Sequence, residues 1–137
     1  MSRVGLIWNQ KSHRNQGVGR TPLPADILDI VPEAPAQLGA GLRRLAAEGV
    51  DLLVIDGGDG TVREVITRLP EAFSGRIPRL AVVPNGKTNA LAIDIGAPLG
   101  TTLEQILASA EAGRPTKRRQ CLEVLRPAWI LRHRLAR

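Results

Sequence analysis

The segment 52–69 is the feature that most restricts what this chain can fold into. An apolar run at 52–55 leads into three glycines within four residues, and a helical pattern of apolar side chains follows at once. The spacing i, i+3, i+4, i+7, which marks one face of an α-helix, is kept by Val62, Val65, Ile66 and Leu69. The segment therefore predicts a buried strand, a glycine turn and the N-terminus of a helix.

The glycine turn has the chemistry that an anion requires. Gly57, Gly58 and Gly60 can adopt positive φ angles, and they lack the Cβ atoms that would keep a ligand away from the backbone. The unpaired N–H groups and the positive dipole end of the following helix favour a negative charge. The turn therefore suits a phosphate group, although a tight strand-to-helix turn without a ligand has the same pattern.

Composition excludes several classes of protein. The 137 residues are enough for one domain with a real core, and only three of them are aromatic. A core of Leu, Ile, Val and Ala suits a parallel α/β sheet, whereas a stacking surface for single-stranded nucleic acid needs aromatic side chains. A single cysteine, Cys121, rules out an internal disulfide and a cysteine-rich metal site. We expect a cytoplasmic protein.

The positive charge is concentrated at one end of the sequence. The net charge is +6: residues 114–137 carry a net charge of +7, and the first 113 residues carry −1. We therefore expect an α/β domain at 1–113, followed at 114–137 by a basic tail or the start of a second domain. A basic tail can contact nucleic acid or anionic lipid, but a solvated segment of a larger chain is the simpler interpretation, and no nucleic-acid partner is expected.

Strand and helix patterns alternate along the chain. Strands are predicted at 3–8, 26–31, 51–55, 79–83 and 121–125, and helices at 36–48, 61–69 and 101–112, with a short helix ending at 95. Pro70 is expected to end the second helix, and Thr101 and Glu104 are expected to form a capping box at the start of the last one. The alternation predicts right-handed crossovers and a doubly wound, mostly parallel α/β sheet.

Three polar loops follow predicted strands, at 9–19, 57–60 and 84–89. Ligands of parallel α/β sheets bind at the carboxyl ends of the strands, so these loops are expected to meet at one site. The dinucleotide-binding pattern does not fit the middle loop, since Arg63 stands where the third glycine belongs. The P-loop pattern does not fit Gly86-Lys87-Thr88 either, because the position of its first glycine is Ala81, inside a strand.

Three motifs in order carry a family resemblance. G-G-D-G-T-V-R-E-V at 57–65 resembles the nucleotide loop of the diacylglycerol kinase catalytic domain superfamily, which includes sphingosine kinases and bacterial lipid kinases. V-G-L-I-W-N-Q-K-S at 4–12 is similar to that family's opening strand and its N-P-x-S-G turn. L-A-V-V-P-N-G-K-T-N at 80–89 is similar to its strand and P-x-G-T-x-N turn. The superfamily is also distantly similar to NAD kinases and phosphofructokinases.

This sequence departs from the family pattern at several positions. Gln10 replaces the proline of the first motif and His13 its glycine, while Lys87 stands where the third motif has threonine. Lysine would place a cation on a phosphate where the family has a hydroxyl group. The family's phosphate-contacting threonine after the second strand has no equivalent at 31–35.

The resemblance implies a nucleotide site and a reaction. ATP with Mg²⁺ would bind across the strand ends, and a phosphoryl group would pass to a hydroxyl of a diacylglycerol- or sphingosine-like lipid. Asp59 is the candidate catalytic residue, either accepting or orienting the proton of the acceptor hydroxyl or holding Mg²⁺, and no separate protein metal site is predicted. The candidate nucleotide-binding residues are Asn9, Ser12, Gly57, Gly58, Gly60, Thr61, Glu64, Gly86, Lys87 and Asn89.

The resemblance extends over only the first of the family's two domains. The second, a β-rich lobe that supplies the lipid cleft, is absent from this sequence, so we expect weak nucleotide binding and little turnover from the chain alone. A lipid acceptor at a membrane surface, peripheral membrane attachment and a homodimer are open expectations. An NAD kinase-like or other small-molecule kinase and a non-catalytic nucleotide-binding module are the alternative functions.

Overall fold

The structure is a computed structural model, and it describes residues 2–125 and 132–135. Four strands form the main sheet: β1 (Val4–Trp8), β2 (Leu28–Ile30), β3 (Leu52–Gly57) and β4 (Arg79–Pro84). The helices are α1 (Pro35–Ala47), α2 (Asp59–Ala72), α3 (Ala90–Asp94) and α4 (Leu103–Glu111). A separate antiparallel pair is formed by β5 (Leu122–Leu125) and β6 (Arg132–Leu135).

The main sheet is parallel throughout, with the strand order β2-β1-β3-β4. The chain moves from β1 to one edge and then returns past β1 to β3 and β4. The strand order therefore reverses beside β1, and such a reversal is where open α/β sheets bind ligands. This arrangement confirms the predicted α/β fold with a mostly parallel sheet.

Apolar side chains cover both faces of the sheet. On one face, α1 and α2 bury Leu42, Leu45 and Val65 completely against β1, β2 and β3. On the other face, the partly buried side chains of α4 pack against a smaller cluster that includes Val54 and Val83. Strands covered on both faces read as continuous apolar runs, which explains the unbroken pattern of β3. The sheet is thus doubly wound, as the sequence predicted.

The prediction that Pro70 ends the second helix is wrong. Helix α2 continues to Ala72, with Pro70 inside it, and the backbone N–H of Phe73 donates to the carbonyl of Leu69 at 2.9 Å. Proline in a helix removes one N–H donor and crowds the preceding turn. Here the proline lies in the last turn and is exposed, so the apolar face of Leu69 and Phe73 holds the helix together beyond it.

The predicted capping box lies one residue too early. The Thr102 hydroxyl accepts from the N–H of Gln105 at 3.3 Å, and the Thr102 N–H donates to the Gln105 side chain at 3.0 Å. Thr101 instead donates its hydroxyl proton to the carbonyl of Pro98 at 2.7 Å. Both threonines match the sequence rule for a cap, and the turn that begins at Pro98 decides between them.

The basic C-terminal region is only partly described. Residues 114–121 are exposed and irregular, and Arg119 forms an ion pair of 2.9 Å with Asp94 at the end of α3. Strand β5 confirms the predicted strand at 121–125, whereas β6 was not predicted. Residues 126–131 and 136–137 of the predicted tail lie outside the described part. Across the described ranges, no helix has the length and apolarity that spanning a membrane would require.

Candidate functional site

A groove of about 600 Å³ lies at the carboxyl edge of the sheet. Because β1, β3 and β4 are neighbours, the segments that follow them lie side by side, and residues of all three predicted loops line the groove. A fourth segment, after β2, closes the groove with an apolar wall that sequence reasoning missed. That wall is formed by Pro32, Ala34, Pro35 and Leu38, and Ile7 of β1 also lines the groove.

The N-terminus of α2 faces this groove. The helix begins at Asp59, two residues earlier than predicted, and Gly58 is its N-cap. No side chain caps this end, so the amides of the first turn keep their donor capacity. Four consecutive residues of the turn, 58–61, line the groove. The first turn of α2 thus offers backbone donors and the positive end of a helix dipole to a bound anion.

The glycines of the turn are required for close approach and not for positive φ, which corrects the sequence-based reason for them. None of Gly57, Gly58 and Gly60 has a positive φ angle. A Cβ on Gly58 would lie 2.8 Å from the Cα of Gly86, because the backbones following β3 and β4 touch there. A Cβ on Gly60 would meet no protein atom within 4 Å, so only the open groove adjoins this position.

Asn9 and Thr61 connect the end of β1 to α2. The Asn9 side chain donates to the Thr61 hydroxyl at 2.8 Å and accepts from the N–H of Lys11 at 3.0 Å. Thr61 is the third residue of the helix and does not cap it. A Cβ on Gly57 would lie 2.7 Å from the Thr61 hydroxyl oxygen, so Gly57 makes room for this contact.

Asn89 shapes the loop after β4. Its side chain accepts from the N–H of Gly86 and donates to the carbonyl of Gly86, both at 2.8 Å. The residue is 1% exposed and has a left-handed φ of 57°, a conformation that asparagine tolerates. Asn89 lies beneath the loop, whereas Gly86, Lys87 and Thr88 line the groove itself.

The carboxylate of Asp59 holds the start of α3. It accepts from the backbone N–H groups of Ala90 at 3.0 Å and Leu91 at 3.1 Å. Asp59 also lines the groove. The candidate catalytic residue therefore connects the glycine turn to the segment after β4, and this structural contact was not predicted.

The remaining charged side chains of the groove are of both signs. Glu64 accepts from Arg68 at 2.6 Å and from Arg63 at 3.3 Å, and the hydrogen bond from Arg68 lowers the pKa of Glu64. Lys11 donates to the carbonyl of Glu33 at 3.2 Å, and Lys87 is exposed.

The predicted site residue Ser12 is buried and lines the groove. The neighbouring His13 also lines the groove.

Three polar residues near the groove were missed by sequence reasoning. Asp56, at the end of β3, accepts from the side chains of Asn15 and Asn85 at 2.8 and 2.7 Å. Burial raises the pKa of Asp56, and the two amide donors and Arg20 oppose that shift. The available signal was a charged residue at the end of an otherwise apolar strand.

The described residues do not form a metal centre by themselves. No group of three or more His, Cys, Asp or Glu side chains in the described part of the chain is placed to hold a metal ion. Mg²⁺ in phosphoryl-transfer enzymes is commonly held by one or two carboxylates together with substrate phosphates. The expectation of Mg²⁺ therefore stays a prediction.

The fold and the groove define an α/β domain with a ligand site at the carboxyl edge of a parallel sheet. The family model of the diacylglycerol kinase catalytic domain matches residues 3–120. The chain belongs to the diacylglycerol kinase catalytic domain family, and the resemblance seen in its sequence motifs is confirmed.

Individual relatives agree with this family. The "Probable lipid kinase YegS-like" of Citrobacter koseri is 37% identical over 65 residues, and the "Probable lipid kinase YegS" of Escherichia fergusonii is 38% identical over 65 residues. Each match spans 47% of this chain and 21% of the relative. The chain thus matches about a fifth of the length of these curated relatives.

Solved structures show the same architecture. A diacylglycerol kinase from Bacillus anthracis str. Sterne superposes with a TM-score of 0.60 at 24% identity, over 80% of this chain and 42% of that chain. A second structure from the same organism gives a TM-score of 0.62 at 25% identity over the same shares. The α/β fold of this chain is therefore that of part of these larger proteins.

Proposed function

We propose that this chain is the nucleotide-binding part of an ATP-dependent lipid kinase. The phosphates of ATP bind at the first turn of α2, and the γ-phosphoryl group passes to a hydroxyl of a diacylglycerol- or sphingosine-like lipid. Family membership supports the kinase class, and the names of the relatives support a lipid acceptor. The cleft that holds the lipid belongs, in this proposal, to sequence that the relatives have beyond the matched region.

The observation that carries the proposal is the uncapped first turn of α2, which faces a groove formed by four strand-end segments. Phosphoryl transfer depends on positioning and charge stabilisation more than on covalent chemistry by the protein. Backbone amides at 58–61 are suited to hold phosphate oxygens, and the exposed Lys87 adds a cation that also lines the groove. The apolar wall after β2 is suited to the less polar part of the nucleotide.

In this proposal, the remaining candidate residues divide into two groups. Thr61 and Ser12 line the groove, and the Thr61 hydroxyl accepts a hydrogen bond from Asn9. Asn89 and Gly57 act on the backbone of the loops. Asp59 is suited to orient the acceptor hydroxyl from a carboxylate that α3 already holds in position. Mg²⁺ would accompany ATP as part of the substrate, and no step is assigned to it here.

The nucleotide site is tested by titrating the chain with ADP and Mg²⁺ by calorimetry, in the wild type and in Gly60→Ala. Gly60 lines the groove, and the added methyl group would meet no protein atom within 4 Å. We expect the affinity for ADP to fall by about tenfold or more, equivalent to roughly 1.4 kcal/mol. Gly39→Ala is the matched control, since it places the same methyl group in α1 outside the groove.

The acceptor is tested separately with radiolabelled ATP and a panel of acceptors, using a chimera in which this chain replaces the matching part of a lipid kinase relative. Labelled phosphatidic acid or a labelled sphingosine phosphate is the expected product. Labelled NADP or a labelled sugar would assign the protein to a different kinase class.

The nucleotide titration has its own contradicting outcome. Equal ADP affinity of the wild type, Gly60→Ala and Gly39→Ala would show that the first turn of α2 is not the phosphate site.

A further inference from the structure

A half-buried carboxylate connects the two sides of the groove without lining it. Asp56 is the last but one residue of β3, and it is half-buried in the middle of the sheet edge. One oxygen of its carboxylate accepts from the Asn15 side chain at 2.8 Å and from the Asn85 side chain at 2.7 Å. Asn15 follows β1 and Asn85 follows β4, so a single oxygen atom joins the loops on either side of β3.

Further hydrogen bonds make this junction continuous with the site. The Asn15 side chain also donates to the carbonyl of Asn9 at 3.0 Å, and the N–H of Arg14 donates to the carbonyl of Asn85 at 2.9 Å. Asn9 holds Thr61, and Asn85 is followed directly by Gly86, which lines the groove. The position of the groove walls thus depends on what Asp56 holds.

An ionised carboxylate is the one side-chain group here that can only accept hydrogen bonds. It forces both asparagines to present their NH₂ groups to it and so fixes the orientation of both amides. We propose that Asp56 is a positioning residue that, in its ionised form, clamps the loops after β1 and β4 into the geometry that binds nucleotide. This inference rests on the proposed nucleotide site and extends it to a residue outside the groove.

The charge of Asp56 has a cost that argues for a functional role. Burial raises the pKa of Asp56, which means that the ionised carboxylate is less favourable in the folded chain than in the unfolded chain. Its contribution to stability is therefore greatest at low pH and is lost as pH rises through its folded pKa. Arg20, the charged group that acts on Asp56 among the described residues, offsets this cost only in part.

Asp56→Asn separates binding from stability. The amide has the same shape and no charge, so the variant should unfold at pH 7 with a free energy equal to or above that of the wild type. Its dissociation constant for ADP should nevertheless be weaker by about five- to tenfold, the order expected for loss of a charged hydrogen-bond acceptor. Asp29→Asn is the control, because it removes another carboxylate beside Arg20 and leaves both asparagines untouched.

The pH profile distinguishes a clamp from a purely structural contact. The ratio of the ADP dissociation constants of Asp56→Asn and the wild type should fall towards one as Asp56 becomes protonated. Protonation of the phosphates is common to both proteins and cancels in this ratio. A ratio that is one at every pH while the wild type binds ADP would overturn the clamp alone, and a wild type that does not bind ADP would overturn the clamp together with the nucleotide site.

A measurement on the wild type keeps the inference testable if Asp56→Asn does not fold. Nuclear magnetic resonance should show the side-chain NH₂ signals of Asn15 and Asn85 shifting with the Asp56 carboxyl at one common midpoint, above the ordinary pKa of aspartate. Signals that titrate independently, or do not titrate at all, would contradict a shared carboxylate.

Discussion

Single polar side chains at this site mostly hold backbone in place. Asp59 binds two N–H groups at the start of α3, and Asn89 binds the backbone of Gly86 on both sides. Asp56 accepts hydrogen bonds from two asparagine side chains and through them holds the loops after β1 and β4. Such contacts fix the loops before a ligand arrives, and preorganisation of this kind lowers the entropy cost of binding.

Asp59→Ala tests the structural role at the residue scale. The two N–H groups of Ala90 and Leu91 lose a charged acceptor, and the free energy of unfolding should fall by about 1–3 kcal/mol, measured by urea denaturation. Asp26→Ala removes an exposed carboxylate and should change stability by less than about 0.5 kcal/mol. Equal effects of the two substitutions would show that Asp59 does not stabilise α3.

Asp59→Asn addresses the proposed role in transfer. The amide oxygen still accepts from one of the two N–H groups at the start of α3, whereas the NH₂ group cannot accept from the other, so part of the stability should be retained. If Asp59 orients the acceptor hydroxyl, phosphoryl transfer in the acceptor assay should fall by about 10²-fold or more. A loss of transfer no larger than the loss of folded protein would assign Asp59 to structure alone.

At the scale of elements, helix α2 has the candidate site at its N-terminus and an unfavourable proline near its C-terminus. Its N-terminus faces the groove, while Pro70 interrupts its last turn at an exposed position. The helix persists because Val62, Val65 and Leu69 are each no more than 3% exposed, and their packing outweighs the local cost of proline. Tertiary contacts therefore decide where α2 ends.

Pro70→Ala should stabilise the protein by about 1–3 kcal/mol, because it restores a backbone donor in the helix and removes the ring from the preceding turn. Thermal denaturation followed by circular dichroism measures the gain. Pro35→Ala is the control, since Pro35 is in the first turn of α1, where the backbone needs no N–H donor and proline does not destabilise the helix. A destabilised Pro70→Ala variant would show that the proline restricts the unfolded chain more than it disturbs the helix.

At the scale of the whole molecule, the two faces of the sheet are unequally buried. Helices α1 and α2 cover one face with fully buried residues, whereas no residue of α4 on the other face is fully buried. The amides of α4 should therefore exchange with solvent before those of α1 and α2. Local unfolding would begin at α4 and leave α1, α2 and the groove folded.

Two matched truncations measure this asymmetry. Leu42 is 0% exposed, so Leu42→Ala leaves a cavity in the core and should reduce the free energy of unfolding by about 2–5 kcal/mol. Leu107→Ala removes a partly buried side chain of α4 and should cost about half as much or less. Urea denaturation of both variants provides the comparison, and equal losses would show that α4 is as tightly packed as α1.

Much of the site could be predicted because it follows from local patterns. The apolar run of β3, the glycines after it and the spacing of α2 are each dictated by neighbouring residues, and so is the polar character of the three loops. The carboxyl ends of parallel strands lie at the same edge of a sheet. The alternation of strands and helices in the sequence therefore also predicted that these loops meet. The family was recognisable from the same three motifs.

Other features depended on contacts between residues far apart in sequence. The close approach of Gly58 to Gly86, the hold of Asp59 on α3 and the Asp56 junction each join segments 28 or more residues apart. The apolar wall after β2 entered the site only because β2 lies beside β1 in the sheet. Sequence alone determined the order and the approximate extent of the strands, turns and helices of the main sheet, since periodicity and backbone freedom are local. Tertiary structure alone decided which polar groups meet, because hydrogen-bond partners depend on distances that only the packed sheet sets.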